Sequence, residues 1–214
     1  MKKVIAVLVL FSTMIFAQQK YTFTDPRDNK TYKAVRIASQ IWMAENLNYA
    51  ASGSRCYGNK PENCKKYGRL YNWTTAMTLP SNCEKTTCSS RIQTRHRGVC
   101  PSGWHLPSGS EWNMLIAAVD GEETAGKKLK AKSGWNKDKG KSGNGTDEFG
   151  FSALPGGDGF SDGGSGGVGL YGYWWSASED NSNNAYNRGM DYTDGAYWIY
   201  DNKSGLFSVR CVQD

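Results

Sequence analysis

Apolar and polar positions divide this chain into an apolar leader, a mixed first half, a helical middle and a β-rich end. Lys2 and Lys3 precede a largely apolar run from Val4 to Phe16, and Ala17 is a small residue before Gln18. That order reads as an export signal over residues 1–17. The run is too short to span a bilayer as a helix, and no later segment is longer. No cysteine lies near the cleavage point, which argues against lipid attachment. Residues 18–24 are then a short N-terminal segment and 25–214 one domain.

Inside that domain, Tyr32 to Ile41 alternates imperfectly and predicts one or two short strands, after turn chemistry at Asp25 to Lys30. Trp42 to Tyr49 reads as a buried segment leading into a loop, and Gly53 to Lys66 as a cysteine-closed loop. Tyr71 to Leu79 has helical spacing (Trp73, Ala76, Met77) and stops at Pro80. The strongest helix follows Pro107. Ser108 and Glu111 form a capping box, Trp112, Leu115, Ile116 and Val119 fall on one face, and Gly121 supplies a stop. Glu122 to Lys132 predicts a second helix, acids first and lysines last. Ser133 to Gly169 is glycine-rich loop. Strands are expected at Trp174 to Ser176 and Ala185 to Met190. Asp194-Gly195 signals a hairpin before Ala196 to Tyr200, and a last strand runs from Leu206 to Val212. Helices in the middle and strands at both ends predict an α+β fold.

Charge narrows the partners. The chain carries 26 basic against 20 acidic residues, a net +6, and Lys2 and Lys3 leave with the leader. So small an excess on an exported chain argues against nucleic acid. The densest basic stretch (Lys127, Lys128, Lys130, Lys132, Lys137, Lys139, Lys141) reads as a solvated helix face and loop, with an anion-binding patch as the alternative.

Six cysteines allow fifteen pairings, which spacing ranks without deciding. Cys56 with Cys64 and Cys83 with Cys88 each bracket a short turn-rich loop, which leaves Cys100 with Cys211. A bridge closing so long a loop is worth about 4–5 kcal/mol on the chain-entropy account and belongs to an oxidising compartment. Zinc is disfavoured by the lack of any C-x-x-C and by only two histidines.

Five blocks now stand in order: Tyr67-Gly-Arg-Leu-Tyr-Asn-Trp73, Cys100-Pro-Ser-Gly-Trp-His-Leu-Pro107 with Glu111-Trp112, Phe149-Gly-Phe-Ser-Ala-Leu-Pro-Gly-Gly157, Gly172-Tyr-Trp-Trp-Ser176 and Ser208-Val-Arg-Cys-Val212. Together they resemble the Fibrobacter succinogenes major paralogous domain, a family of exported bacterial proteins, from about Asp25 to Asp214. That family is similar to the C-type lectin-like superfold, which also holds the formylglycine-generating enzymes. The resemblance implies two helices packed on twisted antiparallel sheets, long glycine-rich loops, and a Cys100–Cys211 staple from the first helix region to the last strand. It implies fold more than function, and the segment Asp158 to Gly169 is longer here than the family pattern.

Candidate chemistry is sparse. His105, inside Trp-His-Leu-Pro, reads as structural beside Trp104, and His96 lies in a basic loop. The acid pairs Asp147–Glu148 and Glu179–Asp180 are chain neighbours, which usually point apart, and six paired thiols leave no nucleophile. No catalytic residue is assigned. Asp158, Asp162 and Glu179 are weak calcium candidates in loop sequence, and no cofactor is assigned. The ligand-binding candidates are Tyr171, Tyr173, Asp180, Arg188, Tyr192, Tyr197 and Trp198, because amphipathic aromatics suit binding surfaces. Trp174, Trp175 and Trp198 also read as core. The expected function is an exported, secreted or surface-retained, non-catalytic module for extracellular polysaccharide or a cell-surface macromolecule. The alternatives are an adhesion protein that binds other proteins, or an enzyme of the formylglycine-generating kind.

Overall fold

A computed structural model describes residues 19–214, so the leader expected over residues 1–17 lies outside the described residues. Strands β1 (Lys20–Thr24), β2 (Thr31–Ile37) and β3 (Gln40–Met43) open the chain. Then come α1 (Pro61–Tyr67), β4 (Leu70–Tyr71), α2 (Trp73–Met77), β5 (Trp104–His105), α3 (Gly109–Ala118) and α4 (Glu122–Leu129). The glycine-rich stretch holds two small hairpins, β6 (Lys137–Asp138) with β7 (Lys141–Ser142) and β8 (Asp158–Gly159) with β9 (Ser165–Gly166). The end is β10 (Gly172–Glu179), β11 (Asn184–Met190), β12 (Ala196–Asn202), β13 (Phe207–Ser208) and β14 (Val212–Gln213).

These strands make two five-stranded sheets, ordered β1-β2-β3-β14-β5 and β12-β11-β10-β13-β4. Pairing is antiparallel except for β13 beside β10. The α+β expectation holds, with four α-helices among the described residues rather than two. The second sheet separates two cores. On one side Trp174 packs with Trp112, Leu115, Phe151 and Leu129; on the other Trp175 packs with Trp73, Tyr71, Phe207 and Val209. Adjacent tryptophans thus serve opposite cores, as the period-two pleat requires.

Local sequence accounts for most of the helix ends. Ser108 Oγ accepts from the Glu111 N–H, and Glu111 Oε2 accepts from the Ser108 N–H at 2.9 Å, completing the capping box. Gly121, at φ 90°, donates to Ile116 O to close α3 and serves as the N-cap of α4. Three expectations need correcting. The segment 18–24, set apart from the domain in sequence, supplies β1, the edge strand paired with β2, because its backbone groups find partners in that ladder. The cysteine loop contains α1, started by Pro61 and ended before Gly68. The last strand is two strands in different sheets: after β13 the chain crosses at Val209 to Cys211, and β14 pairs with β3 and β5.

The crossover is held by Cys100–Cys211, and Cys56–Cys64 and Cys83–Cys88 are also bridged. Asn46 organises the polar interior there. Its Oδ1 accepts from Trp174 Nε1 at 2.8 Å and from Arg210 Nη2 at 2.8 Å, while its Nδ2 donates to Tyr67 O. Among the described residues, no helix is long and apolar enough to cross a membrane.

Candidate functional site

Strands β10, β11 and β12 form an antiparallel ribbon whose register fixes two sets of residues. Trp174 pairs with Arg188 and Arg188 with Trp198, and Met190 pairs with Ala196; this face carries α3 and α4. The opposite face carries Tyr173, Gly189 and Tyr197 in one cross-strand row, then Trp175, Asn187 and Ile199, then Ala185 and Asp201. Near β13 and β4 that face is covered by the Trp73–Trp175–Phe207 core. Toward β12 it is open: Tyr173, Ile199 and Asp201 are half-buried and Tyr197 is exposed.

The open face is aromatic and acidic. Tyr171 and Tyr173 stack at 5.8 Å, and Tyr173 leans on Phe207 at 5.1 Å. Glycine makes room for them. A Cβ on Gly189 would lie 2.5 Å from Ile199 Cδ1 and 3.3 Å from the Tyr173 ring. Gly167, at φ 72°, takes a conformation that L side chains avoid, and a Cβ there would meet Tyr171 at 2.7 Å. The Asp158 carboxylate sits beside Gly166 and Gly167, within 4 Å of where their Cβ atoms would be. Tyr192, in the β11–β12 turn, packs over Gly143.

Two carboxylates mark this face. Asp201 accepts from Asn187 Nδ2 at 2.8 Å, and the Asn187 Oδ1 is buried with no partner among the described residues. Burial pushes the Asp201 carboxyl up despite that hydrogen bond. Asp158 is also raised, first by burial and then by the charge of Asp201. Tyr173 is pushed up to about 12 by burial, with Asp158 and Tyr171 adding to it. Neither Asp158 nor Asp201 has a basic side chain within salt-bridge distance among the described residues. They are therefore desolvated acceptors without a protein cation.

Of the seven expected ligand contacts, Tyr171, Tyr173, Tyr192 and Tyr197 gather at this end of the ribbon. The other three do not. Asp180 lies in the β10–β11 turn at the far end of the strands, where it accepts from Asn181 Nδ2. Trp198 faces α3: it stacks on Tyr186 at 4.9 Å and lies against Gly109, where a Cβ would meet its ring at 2.8 Å. Arg188 is corrected outright. It is fully buried beneath Trp198, donating to Glu122 Oε1, Asn113 Oδ1 and Ala196 O. Asn187, Ile199 and Asp201 were missed, although period two from the Asp194-Gly195 turn places Asp201 on the same face as Tyr197.

The calcium candidates do not converge. Glu179 is enclosed, with its carboxylate accepting from Lys203 Nζ at 2.6 Å and from the Cys88 N–H, so it is spent on structure. Asp162 caps its own turn by accepting from the Gly164 N–H. No group of three or more His, Cys, Asp or Glu is placed to hold a metal ion among the described residues. The basic stretch also needs one correction. Lys130 is buried, donates to Asp191 O and Thr193 O, and is lowered to about 8 by burial.

His105 is buried between two carboxylates, with Nδ1 2.7 Å from Asp214 Oδ1 and Nε2 2.7 Å from Glu111 Oε1. Burial pushes the imidazole down, but these bonds outweigh it and raise it. Burial likewise pushes Glu111 up, and His105 with Ser108 holds it down at about 2. Both ring nitrogens are engaged, so this histidine ties the C-terminus to α3. All six cysteines are paired, and none is free among the described residues.

Fold and face together define a disulfide-stapled α+β domain that leaves an aromatic and acidic surface open on one side of a sheet. The sequence model of the Fibrobacter succinogenes major domain matches residues 35–213, and the chain belongs to that family. No curated protein and no solved structure matches it.

Proposed function

We propose that this protein is an exported, non-catalytic binding module for an extracellular polysaccharide, taken up on the open face of the β10–β12 ribbon. The stacked pair Tyr171–Tyr173 beside two desolvated carboxylates carries this reading. Aromatic faces pack on the C–H faces of sugar rings, and unpaired carboxylates and an amide accept from ring hydroxyls. Two uncompensated acids on one face repel anions, so the ligand of this face is a neutral glycan. Three disulfides support export, since such bonds persist outside reducing compartments. A saturated His105 and six paired thiols favour binding over catalysis.

The test is retention on insoluble neutral polysaccharide. Tyr171→Ala and Tyr197→Ala are expected to weaken retention by roughly tenfold together while the melting temperature stays within a few degrees. Retention untouched by either change, or no retention on any glycan with capture of a protein instead, would overturn the proposal in favour of a protein-binding adhesin.

A further inference from the structure

On the other sheet lies a groove of about 840 Å³ between β1, β2, the end of α1 and the loop from Asp147 to Leu154. Its size falls within the ~300–1,000 Å³ of small-ligand sites. Five lysines line it: Lys20 on β1, Lys30 and Lys33 at β2, and Lys65 and Lys66 on α1. Lys30 is already paired with Asp28 Oδ2 at 2.9 Å and donates to Asn48 O, so Lys20, Lys33, Lys65 and Lys66 carry the charge offered to a ligand. Against them stand Glu45 and Asp147, and both are already occupied. Glu45 accepts from the Lys33 N–H at 2.8 Å and faces Lys33 Nζ at 3.7 Å. Asp147 accepts from the Ser152 N–H at 2.7 Å and from Ser152 Oγ at 2.6 Å.

A further cation lies beneath the floor. Asn46 and Ser152 line the groove, and both accept from Arg210, which is fully buried. Arg210 is held by these oxygens, by Phe151 O and by the Phe151 ring at 4.2 Å, and no carboxylate lies within salt-bridge distance among the described residues. Burial lowers it to about 9, against the opposing pull of Asp147 and Glu45. A low-dielectric interior screens such a charge weakly, so its field reaches the groove.

We propose that this groove is a second binding site, for an acidic polysaccharide carrying one carboxylate per sugar. The lysines come from three separate elements, so the matching charge must repeat along an extended ligand rather than concentrate in one headgroup. The remaining lining is rich in hydroxyls and amides (Thr22, Thr31, Asn48), which suit sugar hydroxyls. The site is separate from the tyrosine face, whose uncompensated acids would reject the same ligand.

Isothermal titration with an oligogalacturonate, and with a cello-oligosaccharide of equal length, tests this. The acidic oligomer is expected to bind with an affinity that falls as salt rises, and the neutral one to leave that binding unchanged. Lys65→Glu with Lys66→Glu, both on exposed positions of α1, should weaken binding by roughly tenfold. Lys137→Glu with Lys141→Glu changes net charge equally on the exposed β6–β7 hairpin and should stay within about twofold. Tyr171→Ala should leave the acidic oligomer bound, so loss at one site is distinguished from loss at the other. Equal losses in the two lysine pairs, displacement of the oligomer by equimolar inorganic phosphate, or no binding would overturn the assignment.

Discussion

The two faces of the β10–β12 ribbon are built from alternating residues of the same three strands, yet they differ in how their charges are compensated. On the helix-covered face, Arg188 is paired with Glu122, reaches Asn113 and packs on Trp198, and Trp174 donates to Asn46, although Arg188 Nε and Trp112 Nε1 are buried without partners among the described residues. On the open face, Asp158 and Asp201 are drawn partly out of water with no cation within salt-bridge distance, and Asn187 keeps an unpaired oxygen, among the described residues. In the first arrangement burial also disfavours the Arg188 charge, but Glu122 opposes that penalty. The second costs stability at neutral pH, which is the expected condition of a surface kept for a ligand.

The largest break in this comparison comes from truncating one aromatic on each face. Trp174→Ala removes a fully buried side chain and should cost about 3–5 kcal/mol in denaturant unfolding. Tyr171→Ala, half-buried on the open face, should cost within about 1 kcal/mol. Equal costs would mean that the open face is core.

Carboxylates sharpen the contrast next. Glu179→Gln leaves Lys203 enclosed without its counter-charge and should destabilise by about 3 kcal/mol. Asp201→Asn removes a desolvated charge and should be neutral or stabilising by up to about 1 kcal/mol at neutral pH. A large destabilisation in the second variant would show that the Asp201 charge supports the fold.

The last contrast lies in the acid limb, below the roughly 3 kcal/mol of the buried pair. Glu111 is held down at about 2, so its contribution is present above its ordinary value near 4.5 and is lost as pH falls toward 2. Asp158 and Asp201 are raised, so theirs is present below the ordinary value and is lost as pH rises through the folded one. Glu111→Gln should flatten the acid-induced loss by about 1–2 kcal/mol, read as the pH dependence of the unfolding midpoint. Asp158→Asn should steepen it slightly. A Glu111→Gln curve that overlays the parent would remove the His105–Glu111 tie from the account of the fold.

Much of this fold was legible because its signals are local. The Ser108–Glu111 capping box, the helical face from Trp112 to Val119, the Asp194-Gly195 hairpin and the two short cysteine loops each involve residues a few positions apart. The five ordered blocks carried the family, and with it the long Cys100–Cys211 staple. The candidate site was half legible. Four tyrosines were found by their crowding, whereas Arg188 was misplaced because a cation among aromatics reads alike in a core and on a surface.

The sequence by itself determined the α+β class, the family, the capped helix at Ser108 and the strands of the C-terminal ribbon, since each follows from neighbours along the chain or from ordered motifs. Only the tertiary structure decided which side of each strand meets α3 and α4, that the chain changes sheets between Ser208 and Val212, and that Lys130, Arg188 and Lys203 are interior cations. These outcomes depend on distant partners, such as Val212 pairing with Trp42 and Lys203 Nζ donating to Cys83 O. Burial and register are set by those distant contacts, and no short window of sequence encodes them.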